Sequence, residues 1–249
     1  MTEVRTRYPT AAGCGMSPDQ ASSGPSGLPS PNPRQKLLLL AYIRRVLRHD
    51  LGMEGTDSGD VPGHGSDSIS ASPFDPPAVS AVEFSGDERV LLKPFLSLRC
   101  GLFVTLKKSR ELRGCIGRIV TDQPLEHSLA AVSRNAAFRD RRFPPLQAGE
   151  LPECEISLSL LSPPEPAEGP EAFRVGEHGI IISLSGRSAV FLPEVAVEQG
   201  WDASHTLQRL CLKAGLPSHA WQDPRMSFQL FSSLHMSESD PDISPGAPS

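Results

Sequence analysis

The sequence predicts an α+β protein in which helices pack beside antiparallel pairs of strands. Around residues 103–120 and 180–192, short apolar runs stand on either side of a polar turn, and this pattern predicts two hairpins. Apolar residues recur at helical spacing in three other segments, which begin near residues 34, 121 and 202. At 249 residues, the chain has room for one large domain or two small ones.

Three segments rich in proline, glycine and serine are expected to be disordered. They are an N-terminal arm at 1–33, an insertion at 54–86 and a C-terminal tail at 237–249. Such compositions bury too little apolar surface to offset the entropy of ordering the chain. The folded domain is therefore expected to span residues 34–236, with a flexible insertion inside it.

The first predicted helix follows the arm. Its buried side repeats apolar residues at helical spacing: Leu37, Leu38, Ala41, Ile43, Val46 and Leu47. Gly52 is a suitable stop, because glycine tolerates the left-handed backbone that commonly ends a helix. Beyond the insertion, Leu91–Leu98 is apolar but interrupted by Pro94, and it leads into the first hairpin.

The first hairpin carries an unusual stretch, ELRGCIGRI, at Glu111–Ile119. Its second strand is predicted to run from about Leu112 to Val120. Because alternate residues of a strand share a face, one set is expected to point to the core: Leu112, Gly114 and Ile116. The opposite face would then hold Arg113 and Cys115 together.

These residues leave two interpretations of Cys115 open. Gly114 and Gly117 bracket it, and glycine inside a strand usually marks a bulge or a close backbone approach. Unshielded N–H groups and the Arg113 cation near the sulfur would favour a reactive thiolate, with a pKa below the free value of about 8.5. The alternative is a small buried residue in a tight hairpin, whose thiol has a raised pKa and reacts slowly.

The second helix is predicted to start at Thr121–Pro124, which offers a capping side chain and a proline for the first turn. Four arginines gather at its C-terminal end: Arg134, Arg139, Arg141 and Arg142. Positive charge there suits the negative end of the helix dipole. The alternative is an anion-binding patch near Arg113.

The second half of the chain returns to strands. One strand is predicted at Cys154–Leu161, before a stiff proline-rich connection, and a last strand is predicted at Met226–Leu234. The second hairpin turns at Ser185–Arg187. His178 stands just before this hairpin. It is either an exposed turn residue or, because its pKa suits acid–base work, a catalytic or ligand residue.

Two short helices are predicted between the second hairpin and the last strand. The first runs from Pro193 to Gly200 and places Glu194 and Glu198 on one face. Carboxylates at that spacing hold a metal or face water. Without a neighbouring histidine motif water is favoured, so no metal site is predicted. The second helix is capped by Asp202 or Ser204.

Composition limits the classes of function. A net charge of −5 opposes a general nucleic-acid binder, which normally has a basic surface. The longest apolar run, Leu37–Ile43, is far too short to span a membrane. The five cysteines are odd in number and form no CxxC pair, so neither a zinc ribbon nor a redox dithiol is indicated. Such cysteine usage fits a reducing cytoplasm.

Five motifs together resemble those of the AMMECR domain family. In chain order they are ELRGCIG at 111–117, AAFRDRRFPPL at 136–146, HGI at 178–180, FLPEVAVEQGWD at 191–202 and LCLKAGLP at 210–217. The likeness covers residues 34–235, apart from the insertion. It implies an α+β domain in two unequal lobes, with a mixed, largely antiparallel sheet.

The resemblance also implies a cellular setting. The chain is similar to the A component of the AmmeMemoRadiSam system, which implies a cytoplasmic protein that associates with a Memo-like protein and a radical-SAM protein. It implies no particular reaction or cofactor.

Two classes of function remain open. In the first, a thiol enzyme uses Cys115 as nucleophile and His178 as general base, with Glu198 orienting the histidine. In the second, the domain is a binding module that presents the LRGCIG hairpin to a partner. Contact between Cys115 and His178 would favour the enzyme, and separation would favour the binding module.

The enzyme hypothesis also names residues for the substrate. Arg113 and Arg142 are expected to hold an anionic group of the substrate. The backbone of Gly114 and Gly117 is expected to lie beside that group.

Overall fold

The computed structural model describes residues 27–53 and 82–243, so the predictions for 1–26, 54–81 and 244–249 lie outside the described residues. The helices are α1 (Pro33–Asp50), α2 (Gly86–Leu96), α3 (Leu125–Phe138), α4 (Pro193–Glu198) and α5 (Ala203–Lys213). The strands are β1 (Gly101–Lys108), β2 (Glu111–Arg118), β3 (Cys154–Leu161), β4 (Glu165–Ala167), β5 (Gly179–Leu184), β6 (Arg187–Phe191), β7 (Ser227–Phe231) and β8 (Ser233–Ser237). No helix in the described ranges is long and apolar enough to cross a membrane.

The strands form two four-stranded sheets. The first has the order β2-β1-β3-β8 and the second the order β4-β7-β5-β6. Every pairing described in them is antiparallel. The α+β class is therefore confirmed, with two antiparallel sheets in place of a single mixed one.

The larger lobe is built on the first sheet. Strand β1 turns a fully buried set of side chains to one face: Leu102, Val104 and Leu106. Helices α1 and α3 pack on that face, and α3 contacts both β1 and β2. The helical periodicity of α1 and the apolar alternation of β1 thus meet in one core, as their patterns predict.

The smaller lobe is built on the second sheet. Ile180 and Ile182 of β5 share a buried cluster with α5 residues Leu207, Leu210 and Cys211. Helix α5 starts where the sequence predicts, because the Asp202 carboxylate accepts a hydrogen bond from the His205 backbone N–H at 2.7 Å.

The two lobes meet where the second face of the first sheet packs on the second sheet. A small buried cluster lies between them: Leu161, Ile181 and Phe231. The chain passes between the two sheets twice at this cluster, after β3 and after β7. At these two crossings, Ser162 N–H donates to the Ser232 carbonyl at 3.0 Å. The single strand predicted at Met226–Leu234 is wrong. Ser232 divides it into β7 and β8, which belong to different sheets. Apolar alternation continues across both strands, so the pattern does not reveal the crossing.

Two segments that were predicted to be flexible are partly folded. Residues 27–33, assigned to the arm, include the buried Leu28 and the helix cap Asn32. Residues 82–86, assigned to the insertion, include Phe84, whose ring stacks on Tyr42 at 3.8 Å between centroids. Isolated apolar residues among prolines and glycines give no periodic signal, although Leu28 and Phe84 are both buried in the main core.

Helix α2 lies where only an apolar run was noted. Ser85 and Glu88 form a capping box: Glu88 N–H donates to Ser85 Oγ at 3.3 Å, and Ser85 N–H donates to Glu88 Oε2 at 2.8 Å. Pro94 lies inside the helix without ending it before Leu96.

The predicted tail also begins too early. Glu238 forms a two-point pair with Arg44, with a shortest N–O distance of 2.6 Å, and accepts from Ile156 N–H at 2.8 Å. Ile243 is buried in the main core. The start of this acidic, serine-rich segment is folded because the Glu238 carboxylate pairs with Arg44, which is far away in the chain.

Candidate functional site

A β-bulge shapes the hairpin that carries the cysteine motif. Leu106 pairs with Gly114 and Lys107 with Leu112, so Arg113 is the extra residue of β2. The bulge moves Leu112 out of the predicted alternation. Leu112 was expected to face the core, but it pairs with Lys107 and is 39% exposed. The core face keeps Gly114 and Ile116, as predicted.

Cys115 lies on the face of the first sheet that points to the smaller lobe. Four small side chains stand side by side across this sheet, one from each strand: Cys115, Thr105, Ser157 and Ser237. The Thr105 hydroxyl donates to the Cys115 sulfur at 3.2 Å. The thiol is therefore half-buried in a polar row rather than packed among apolar side chains.

The surroundings keep Cys115 protonated. Burial raises the pKa of its thiol, and the charges of Asp140 and Glu194 raise it further. The Thr105 hydrogen bond and the Arg142 charge oppose this increase without cancelling it. A raised pKa is what the second interpretation of Cys115, a small buried residue in a tight hairpin, predicts.

Arg113 does not act on the thiol. Its guanidinium pairs with Glu150 at 2.9 Å and donates to the Pro144 carbonyl at 2.9 Å, with 12% of its side chain exposed. This hydrogen bond holds the pKa of Glu150 at about 2. The expectation that Arg113 stabilises a Cys115 thiolate is wrong, because the bulge sends its side chain to the loop after α3.

Asp140 and Arg142 form hydrogen bonds with the backbone of Cys115 at the free edge of β2. Cys115 N–H donates to Asp140 Oδ2 at 2.9 Å, and Arg142 Nη2 donates to the Cys115 carbonyl at 3.1 Å. Arg142 also donates from Nε to Asp140 Oδ1 at 2.9 Å. The sequence singled out Arg142 but missed Asp140. An Asp-x-Arg spacing in a loop after a helix was the available signal.

The two glycines serve packing. Neither has a positive φ. A Cβ at Gly114 would lie closer than 3.0 Å to the Ala136 carbonyl oxygen of α3. A Cβ at Gly117 would lie as close to the Leu102 carbonyl oxygen and the Phe103 ring. Both positions are therefore glycine because another element approaches the backbone closely.

The structure does not assemble the proposed catalytic set. His178 Nδ1 accepts from Arg174 N–H at 3.2 Å, and the ring lines a cavity of about 750 Å³ beside β4. Among the described contacts of Cys115 there is none to His178. Glu198 pairs instead with Lys107 at 3.3 Å. The cysteine, histidine and glutamate of the enzyme hypothesis thus lie in three separate environments.

Glu194, the other glutamate of this short helix, contacts the face of the first sheet that holds Cys115. Ser159 Oγ donates to Glu194 Oε1 at 3.0 Å, and His235 Nδ1 lies 3.0 Å from the same oxygen of Ser159. His235 is on β8, three strands from Cys115 on β2, or roughly 14 Å at the usual strand spacing. It is too far away to act as a base for the thiol.

Comparisons with known proteins agree with this fold. The AMMECR1 family model matches residues 77–236. Protein NEQ441 of Nanoarchaeum equitans is 41% identical over 147 residues, which are 56% of this chain and 82% of the relative. Protein MK0488 of Methanopyrus kandleri is 40% identical over 156 residues, which are 59% of this chain and 75% of the relative.

A solved structure is similar as well. It is the crystal structure of the uncharacterized protein PH0010 from Pyrococcus horikoshii, with a TM-score of 0.63 and 28% sequence identity. The similarity covers 84% of this chain and 93% of that protein.

Proposed function

The chain belongs to the AMMECR1 family, and from this premise we propose that it acts as a binding component of an AmmeMemoRadiSam-type system. Its proposed partners are a Memo-like protein and a radical-SAM protein in the cytoplasm. In this proposal the isolated chain is a module that presents its cysteine hairpin, rather than a thiol enzyme that works alone.

The state of Cys115 carries the proposal. Of the described side chains, the Thr105 hydroxyl is the one that hydrogen-bonds to the sulfur, and a hydroxyl is no base. The raised pKa of the thiol leaves little thiolate at neutral pH. A free-standing cysteine enzyme needs the opposite arrangement, a depressed pKa or an adjacent base.

The hairpin also has a surface that suits protein contact. Ser109–Leu112 forms its exposed tip, where Ser109 and Arg110 have φ values of 52° and 67°. Leu112 is a large apolar side chain on that tip. Since Asp140 and Arg142 already occupy the edge at Cys115, a partner would contact the tip through side chains rather than add a strand at Cys115.

The test is binding to the two partner proteins. Leu112→Glu places a charge on the hairpin tip without touching the core, so we expect at least a tenfold loss of affinity for one partner in sedimentation or calorimetry. Val90→Glu is the matched control, because Val90 is 76% exposed on α2 in the same lobe. Unaltered affinity of Leu112→Glu for both partners, or no binding by the wild type, would contradict the proposal.

A cysteine-dependent modifying activity is the second candidate. The observation that favours it is the position of Cys115 on the face where the two lobes meet, since a partner that shifts the lobes would change its burial. We then expect alkylation of Cys115 by iodoacetamide to accelerate at least tenfold when partners are added. Equal rates with and without partners would exclude this candidate.

A further inference from the structure

We propose that Arg142 and Lys213, one from each lobe, bind an anionic group, a carboxylate or a phosphate, beside the Cys115 thiol. The inference rests on the proposed function and deepens it, because it names the chemistry that a partner or substrate brings to the hairpin. Lys213 lies inside the family motif LCLKAGLP at 210–217, but the predicted site residues did not include it.

Lys213 lies at the end of α5, opposite the cysteine hairpin. Its Nζ donates to the Val190 carbonyl at 2.9 Å and lies 4.7 Å from the centre of the Phe191 ring. Val190 packs in the cluster between the lobes together with Phe103. Phe103 pairs with Gly117, two residues after Cys115, so β6, whose Val190 carbonyl accepts from Lys213, packs next to the hairpin.

The Lys213 ammonium has unused hydrogen-bond donors. A lysine ammonium offers three donors, and among the described residues only the Val190 carbonyl accepts from this one. Lys36, Lys107 and Lys108, in contrast, each lie within 4.0 Å of a carboxylate. Burial lowers the pKa of Lys213, a negative charge on Cys115 opposes this decrease, and the positive charge of Arg142 adds to it.

Arg142 lies beside Cys115, and part of its guanidinium group is without a described partner. Its Nε and Nη2 are taken by Asp140 and the Cys115 carbonyl, while Nη1 has no partner among the described residues. The side chain is 56% exposed. An anion held between Nη1 and the Lys213 ammonium would relieve their repulsion and take up the free donors.

The nearby carboxylates already have partners. Asp140 accepts from Arg142 and from Cys115 N–H, and Glu194 accepts from Ser159. Neither has a described contact with Lys213. An anion from outside the described chain would supply the counter-charge that these two carboxylates do not.

The experiment compares two alkylating reagents on Cys115. Iodoacetate is an anion and iodoacetamide is neutral. In both, the thiolate sulfur forms a bond to the same type of carbon as iodide leaves, so the ratio of their rate constants does not depend on the thiol pKa. We expect Lys213→Met to lower the ratio of iodoacetate to iodoacetamide rates at least threefold, because it removes local positive potential. Peptide mass spectrometry gives both rates.

Lys93→Met is the control, because Lys93 lies on α2 away from the hairpin and should leave the ratio as in the wild type. Inorganic phosphate and acetate, compared at constant ionic strength, distinguish the two sources of the anion. The anion that matches the site should slow the alkylation of Cys115 by iodoacetate more than the other anion does. It should also raise the melting temperature of the wild type and not that of Lys213→Met.

Equal reagent ratios in the wild type, Lys213→Met and Lys93→Met would overturn the proposal. Even if alkylation is slow, identical anion-induced melting shifts in the wild type and Lys213→Met would also overturn it. Both measurements use the isolated protein. Their failure is therefore distinct from failure of partner binding, which the Leu112→Glu experiment reports separately.

Discussion

The Thr105 hydroxyl donates to the Cys115 sulfur across the β1–β2 pair at 3.2 Å. The backbone N–H and carbonyl of Cys115 point away from β1, to Asp140 and Arg142, so Thr105 and Cys115 form a non-hydrogen-bonded pair of the antiparallel sheet. Side chains approach most closely in such pairs. The sheet geometry therefore gives the half-buried thiol a single polar neighbour on β1.

Thr105→Val tests this contact. The hydrogen bond favours the thiolate, so its loss should raise the pKa of Cys115 further and slow alkylation. If a hydrogen bond to a charged group is worth about 1.5 kcal/mol, the rate at a fixed pH near 8 should fall about tenfold. Thr105→Ser keeps the hydroxyl and should react like the wild type. Equal pH profiles for Thr105→Val and the wild type would contradict this role.

Arg113→Leu separates loop anchoring from thiol activation. We expect a loss of about 1–2 kcal/mol in the free energy of unfolding, because Glu150 and the Pro144 carbonyl lose their donor. The pH profile of Cys115 alkylation should stay within twofold of the wild type. A shift of that profile to higher pH would contradict this expectation and show that Arg113 stabilises the thiolate.

Asp140→Asn should remove a pH-dependent part of the stability. Burial raises the pKa of Asp140, but hydrogen bonds from Arg142 and the Cys115 N–H lower it more, to below its usual 3.8. A depressed carboxyl pKa gives stability that is present above the usual pKa and is lost as pH falls through the folded pKa. In urea unfolding, the wild type should exceed Asp140→Asn by about 2 kcal/mol at pH 7, and this difference should shrink as the pH falls below the usual carboxyl pKa of 3.8.

The control for Asp140 is a second Asp-x-Arg unit. Asp223 pairs with Arg225 at 2.7 Å with the same spacing, but the Asp223 side chain is 25% exposed, compared with 5% for Asp140. Asp223→Asn should therefore leave the urea midpoint at pH 7 nearly unaltered. An equal loss in both variants would show that burial beside Cys115 is irrelevant.

Gly114→Ala and Gly117→Ala test the close approaches in the hairpin. Each added Cβ would meet a backbone carbonyl closer than 3.0 Å, so α3 or β1 must shift, at a cost of about 1–3 kcal/mol in melting or urea experiments. Gly86→Ala is the matched control, since a Cβ there meets nothing within 4 Å and φ is not positive. A wild-type melting temperature in both hairpin variants would refute the packing argument.

Local structure follows from the sequence wherever a single periodic pattern dominates. Helix α1, strand β3 and the turn at Ser185 and Gly186 lie close to their predicted positions, because 3.6-residue and two-residue periods and turn chemistry act within a few residues. The motif at Leu112–Gly117 identified the cysteine hairpin for the same reason. Its residues are contiguous, and their resemblance to a family needs no folding.

Tertiary structure alone decided which side chains meet Cys115. A one-residue bulge turned Arg113 toward Glu150, which no alternation rule predicts. Antiparallel pairing brought Thr105 to the sulfur, from a position 10 residues away in the chain. His178 stayed apart because β5 belongs to the second sheet, whereas Cys115 belongs to the first. Contacts between distant residues depend on sheet order and lobe packing, which local periodicity does not encode.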